Sequence, residues 1–195
     1  MKGIQPPMEL TNIFKELLQH IDPNPEREGL RETPERVAKA WQYWTKGYNA
    51  NVEELFKVFE DGSEGYDSMV VVGNIPVHSH CEHHLAPFVG TAHVGYVPDG
   101  RVVGLSKIAR CVEAFAFRLQ VQERLTVQIA DAMMTHLKPL GVGVIIRAHH
   151  SCMSTRGVKI HGGLTTTAAM RGCFDEDINT RQEFLSHVRA SESAT

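Results

Sequence analysis

Apolar residues fall along this chain in two rhythms. In ELTNIFKELLQHI, residues 9–21, Ile13, Leu17 and Ile21 recur every fourth position, the spacing of one helix face. The prolines and glycine of DPNPEREGL predict a loop. Thr33-Pro34 then predicts a second helix, with threonine as its cap and proline at its first position. Val37, Trp41 and Trp44 share one face of that helix. After EDGSEGYDS the period shortens. MVVVGN, FVGTAHVGYVP and GRVVGLS are β-branched runs split by turn residues, which predicts antiparallel strands. Two helices are expected next, from Ser106 to about Arg118 and from Val121 to about Leu137, the second with Leu125, Ile129 and Met133 on one side. GVGVIIRAHHSCMS returns to alternation, and LTTTAAMRG reads as a threonine-rich strand. A last helix is expected near Thr180, with Thr180 and Glu183 as a capping box.

Two strands, two helices and two strands predict an α+β fold, an antiparallel sheet with helices on one face. That domain is expected over 66–195, preceded by a helical extension over 1–65. The 195 residues, 42% of them hydrophobic, suffice for one good core. A formal net charge of -3 argues against broad binding to nucleic acid or an anionic membrane, though not against a local cationic pocket for a small anion. No apolar run is long enough to span a membrane, and MKGIQPPMEL lacks the apolar core of a secretory signal. The expectation is a cytoplasmic protein. There Cys81, Cys111, Cys152 and Cys173 would stay reduced and free to bind metal.

The densest chemistry lies in HSHCEHHLAPF, where His78, His80, Cys81, Glu82, His83 and His84 crowd together. A Cys-x-x-His spacing lets a tight turn bring Cys81 and His84 to one ion, although alone the pattern is common by chance. His78 and His80 precede that turn and are expected as strand residues. Further on, Val142, Val144, Ile146 and Ala148 alternate onto one face. If extension continues, His150 and Cys152 follow on that face. Cys81, His84 and Cys152 suit zinc and leave a fourth position for water. A closed site completed by His83 or His150 remains the structural alternative. The HCE at 80–82 fits the start of a zinc deaminase motif, but the required Pro-Cys-x-x-Cys is missing.

GLSKIAR places Ser106, Lys107 and Arg110 at a strand-to-helix junction, where free backbone N–H groups and two cations favour phosphate. The bland reading is a serine cap with solvated charges. Arg156 adds a cation four residues after Cys152. Gln122 and Glu123 open the next helix, where a carboxylate can accept from the guanine N1–H and N2–H₂ pair or simply face the helix dipole.

Taken together, REGLRETPERVAKAW, CEHHLAPF, GLSKIAR, VQERLT, CMSTRGV and NTRQEFL resemble GTP cyclohydrolase I in order and over nearly the whole chain. The resemblance implies an enzyme that uses a zinc-bound water to open the imidazole ring of GTP, releases C8 as formate and re-closes the product as 7,8-dihydroneopterin triphosphate, the first step towards pterins and folate. It assigns Cys81, His84 and Cys152 to Zn²⁺, and His83 and His150 to proton handling. Ser106 falls to ribose opening, Lys107, Arg110, Arg156 and Arg36 to the triphosphate, Glu123 to guanine, and Gln122 to the purine's polar surroundings. The implied fold is the tunnelling fold. The implied assembly is a homodecamer of two stacked pentamers with active sites between subunits. Leu119 stands where the family commonly has proline, which is expected to loosen the placement of Gln122 and Glu123. KIHGGLTTT is richer in glycine than the family pattern. Two other classes share parts of this pattern: a nitrile reductase of the same fold, which lacks the zinc motif, and a non-catalytic zinc-dependent nucleotide-binding ring.

Overall fold

A computed structural model of the chain describes residues 8–56, 58–59 and 65–193. The chain falls into two compact units, Met1–Lys46 and Gly47–Thr195. The boundary expected at 65/66 adjoins residues 60–64, which lie outside the described residues.

In the first unit, α1 (Met8–Ile21) and α2 (Thr33–Trp44) form where the apolar spacing placed them. The face of α1 differs from expectation. Ile13, Leu17 and Ile21 are exposed, whereas Leu10, Phe14 and Leu18 are half-buried. The helix carries two apolar stripes, and spacing alone does not say which one is covered. Pro34 occupies the first turn of α2, as proline can without losing a hydrogen bond. Thr33 does not cap it: its hydroxyl donates back to Gly29 O at 3.4 Å. Arg36 pairs with Glu32, one turn earlier.

The second unit opens with α3 (Val52–Leu55), β1 (Val58–Phe59), β2 (Val70–Cys81), β3 (Pro87–Val97) and β4 (Val102–Val103). α4 (Leu105–Ala116), β5 (Leu119–Gln120) and α5 (Gln122–Leu137) follow. The chain ends with β6 (Gly141–His150), α6 (Ser151–Ser154), β7 (Thr165–Gly172), α7 (Cys173–Glu176) and α8 (Ile178–Ser193). The main sheet has the order β5-β2-β3-β6-β7; the β5–β2 pair is parallel and the other three are antiparallel. GRVVGLS yields only the two residues of β4, which pair with β1 apart from the main sheet. Gly104 and the start of α4 at Leu105 cut that strand short.

The α+β reading holds, but helices cover both faces of the sheet. On one face α4 and α5 bury Ile108, Val112, Phe115, Leu125, Ile129 and Met133 against Val77, Phe88, Val142, Val144 and Ile146. Side chains alternate along a strand, so Ile145 points the other way, into a smaller cluster with Phe174, Phe184 and Val188 of α7 and α8. Paired glycines make room there. Gly95 lies opposite Gly143, and a Cβ on Gly143 would stand 2.5 Å from the Phe174 ring.

The last helix begins two residues before Thr180, and Asp177 caps it. The Asp177 carboxylate accepts from Asn179 N at 3.1 Å and Thr180 N at 3.0 Å, and the Thr180 hydroxyl donates to it as well. The expected Thr180–Glu183 box is replaced by this aspartate. Among the described residues, no helix is long and apolar enough to cross a membrane.

Candidate functional site

β2 runs to Cys81 and the chain then coils once. His84 N and Leu85 N both donate to Cys81 O, at 3.3 and 2.8 Å, and Cys81 N donates to Ala86 O at 2.9 Å. Leu85 takes a left-handed backbone conformation, φ 53°, to rejoin β3. An exposed leucine pays for that geometry in strain, which chains tolerate chiefly where a site requires it. The coil puts positions 81 and 84 side by side. Cys81 Sγ lies 3.8 Å from His84 Nδ1 and 3.9 Å from His83 Nδ1.

Cys152 arrives by a different backbone from the one expected. β6 pairs with β7 only as far as Ala148 and with β3 as far as His150. With no strand left to pair with, the chain turns into α6, whose first turn carries Cys152. The ligand atoms of Cys81, His84 and Cys152 all lie within 4.8 Å of one another, a group that could hold a metal ion. Burial, then the neighbouring Cys81 thiol, push the Cys152 thiol above its ordinary range, and the charge of Arg156 pulls it back. Two thiols in contact resist ionising together, and a soft divalent cation removes that penalty. The donor set fits such an ion. Cys111, in contrast, is fully buried in the core and pushed up to about 12 by burial, as an inert packing thiol.

His150, two residues before Cys152 in the chain, is held on two sides. Its ring stacks on Phe88, centroids 4.6 Å apart and planes 10° apart. Its Nε2 lies 2.8 Å from Gln122 Oε1. The Gln122 amide donates from Nε2 to Ile146 O and to Thr165 O, each at 3.0 Å, and those carbonyls fix which end is nitrogen. Oε1 therefore faces the imidazole, so His150 carries hydrogen on Nε2 and leaves Nδ1 as its second nitrogen. Burial pushes His150 below the usual imidazole range, and the Glu123 charge opposes that. Gln122 itself is 1% exposed, with both ends of its amide engaged inside the protein.

The remaining predicted residues stand differently. Ser106, Arg110, Glu123 and Arg156 are exposed and Lys107 is half-buried. Among the described residues, none of these five side chains makes a hydrogen bond or ion pair. Arg36 belongs to the first unit. His78 and His80 lie in β2 as expected, and His80 is buried, which lowers its pKa.

Leu119 is not a loose substitute for proline. Its N–H, which proline would lack, donates to Tyr48 Oη at 3.1 Å, and its carbonyl accepts from Arg124 at 3.3 Å. The glycine-rich loop after Arg156 is likewise anchored: His149 Nδ1 lies 2.9 Å from Gly163 O, and Ile160 N donates to Met153 O at 3.1 Å. Sequence reasoning missed one cluster altogether. Glu82, Gln120 and Arg124 join beside the coil, and the 42-position separation of Glu82 and Arg124 hides the pair from any spacing rule.

Comparison with known proteins shows the family. The sequence model of the GTP cyclohydrolase I family matches residues 10–189. A protein named GTP cyclohydrolase 1 from Janthinobacterium sp. (strain Marseille) is 54% identical over 182 residues, covering 93% of this chain and 92% of its own. Another of the same name, from Nitrosospira multiformis, is 51% identical over 179 residues, 92% of this chain and 94% of its own. A solved structure, the apo form of archaeosine synthase QueF-Like, has a TM-score of 0.45 at 19% identity, covering 54% of this chain and 94% of that one. That likeness is too slight to bear on function. The chain belongs to the GTP cyclohydrolase I family and is an enzyme of that kind.

Proposed function

We propose that this enzyme opens the imidazole ring of GTP, releases C8 as formate and re-closes the product to 7,8-dihydroneopterin triphosphate, with Cys81, His84 and Cys152 holding Zn²⁺. The observation that carries the proposal is the convergence of these three donors, two from the coil between β2 and β3 and one from α6, within 4.8 Å. When bound, zinc in a three-ligand site supplies Lewis acidity and a water acidified towards neutrality.

The protein's own groups do the rest. His83 and His150 flank the ligands and move protons at purine N7 and the ribose ring oxygen, since C8 is a poor electrophile until N7 is protonated. Gln122 keeps the His150 ring in one orientation and one tautomer, and so acts as a positioning residue. Glu123 accepts from the guanine N1–H and N2–H₂ edge. Lys107, Arg110 and Arg156 take the triphosphate, with Arg36 a further candidate, and Ser106 contacts the ribose. The bare side chains of Lys107, Arg110 and Arg156 support this reading, because charges committed to internal ion pairs, as Arg36 is to Glu32, are less available to a nucleotide.

We further propose the tunnelling fold and a homodecamer of two stacked pentamers that shares each active site between subunits. Support comes from β7, which among the described residues is an edge of the main sheet with no strand beyond it and which association would pair. Light scattering that finds a fully active species of one subunit mass would overturn the assembly. The four free cysteines support a reducing, cytoplasmic setting. The activity is tested by incubating the zinc-loaded protein with GTP. Formate and a fluorescent, oxidisable neopterin product are expected; unaltered GTP, or GDP and phosphate alone, would overturn the proposal.

A further inference from the structure

Arg124 stands at a junction of three short segments. Its Nε donates to Gln120 Oε1 at 3.1 Å and its Nη2 donates to Leu119 O at 3.3 Å, which fixes the guanidinium against β5. The outward edge of the same group meets Glu82, with Nη1 donating to Oε1 at 3.4 Å and Nη2 to Oε2. The backbone is joined at the same place. Glu82 N donates to Gln120 O at 3.0 Å, and Cys81 is the residue paired with Gln120 across the β2–β5 ladder. Gln120 is itself buried, its amide donating to Phe115 O and Gln128 Oε1. The anchor is therefore firm on the α4–α5 side.

Glu82 lies inside the coil that presents Cys81 and His84, and its Oε1 lies 3.9 Å from His83 Nε2. Arg124 lies one residue after Glu123 and two after Gln122. One ion pair thus spans the space between the metal-facing coil and the start of the helix that carries the guanine anchor and the support of His150. Only an arginine can do this. Four bonds leave in the plane of one guanidinium towards three acceptor groups, a pattern that a lysine ammonium cannot reproduce.

We infer that Glu82 and Arg124 form a latch that fixes the Cys81–His84 coil on the start of α5, making both of them positioning residues for the metal. The latch rests on the reading that Cys81, His84 and Cys152 hold zinc. It acts by holding two of the three ligands in place before the ion arrives, as outer partners of metal ligands generally do. An exposed ion pair adds little to global stability, so the effect belongs in metal retention and not in melting temperature.

The test is zinc release from the full-length, zinc-loaded protein into excess chelator, followed for wild type, Glu82→Gln, Arg124→Lys, Arg124→Gln and the Glu82→Gln/Arg124→Gln double variant. Each single variant is expected to retain zinc about 10–100-fold less well than wild type. The double variant should match the worse single one, because each residue acts through the other. Asp131→Asn, which breaks an exposed pair with Arg171 on the far stretch of α5, should release zinc at the wild-type rate. Wild-type retention in Glu82→Gln, or losses that add in the double variant, would overturn the latch while leaving the zinc site intact. A wild-type chain that takes up no zinc would overturn the metal reading itself. If Glu82→Gln fails to fold, Arg124→Lys carries the same test, since it keeps the charge and removes only the fork.

Discussion

The cysteine–histidine end of the sheet and the start of α4 hold their candidate site residues in opposite conditions. At the sheet end nearly every polar group already has a partner within the chain: His150 with Gln122, Glu82 with Arg124, Cys81 with both neighbouring imidazoles. At α4, Ser106, Lys107 and Arg110 make no side-chain hydrogen bond or ion pair among the described residues. Under the proposed function, the difference follows from what each region does. Proton transfer and metal binding need geometry fixed in advance, because a misplacement of about 1 Å can cost 10²-fold in rate. A triphosphate brings its own charge, so its grip needs only available cations on a helix start.

The largest effect is expected at the preassembled end. His83→Ser and His150→Ser should each lower turnover by about 10²–10⁴-fold, the range for a general acid or base, and leave GTP binding nearly unchanged. Steady-state kinetics beside a direct binding measurement would show the split. A loss confined to KM would erase the distinction between the two regions.

The opposite split is expected at the cations proposed to take the triphosphate. Lys107→Ala, Arg110→Ala and Arg156→Ala should each weaken GTP by about 10–100-fold, the worth of a charge-assisted hydrogen bond, with guanosine hardly affected. Wild-type affinity for GTP should also fall as salt rises. Guanosine competing as well as GTP at low salt would reduce these cations to a solvated surface.

Two substitutions on the α7–α8 face ask whether the site is independent of the general fold. Gly143→Ala would force a methyl into the Phe174 ring, costing about 1–3 kcal/mol of stability by overpacking. Denaturant titration should register that loss while zinc content stays at the wild-type level. Smaller still is the effect of His93, whose side chain is fully buried with Nε2 lacking a hydrogen bond. Burial lowers its pKa, the Glu192 carboxylate at 3.6 Å raises it, and Arg147 lowers it again. With the net shift downward, the unfolded chain binds the proton more readily than the folded one. The sign is then clear: stability is full above about pH 6.5 and declines as pH falls from there towards the lower folded value. Melting temperatures across that window should fall less steeply in His93→Gln than in wild type; equal slopes would remove His93 from the account.

How much of this was legible in the sequence depended on whether partners were near in the chain. Cys81 and His84 could be paired because a three-residue step needs only a turn. Cys152 meets Cys81 and His84 on a different backbone from the one expected, since alternation in β6 gives no warning that pairing stops at His150. The helices α4 and α5 follow from their apolar spacing. The second helical face of the sheet was hidden, because Gly143 removes a side chain from the alternation and Phe184 and Val188 are the only buried residues of α8. The Gln122–His150 contact, spanning 28 positions, and the Glu82–Arg124 pair, spanning 42, arise only when β2, α5 and β6 come together. No periodicity encodes them.

The central claim is that three residues, and not their neighbours, hold the ion. Zinc per chain in purified Cys81→Ser, His84→Ser, Cys152→Ser, His83→Ser and His150→Ser tests it most directly. The first three should carry little zinc, because removing one of three ligands leaves too few for tight binding. The last two should remain near one zinc per chain. A zinc-free His83→Ser beside a zinc-loaded His84→Ser would contradict the account and reverse the roles of the two histidines.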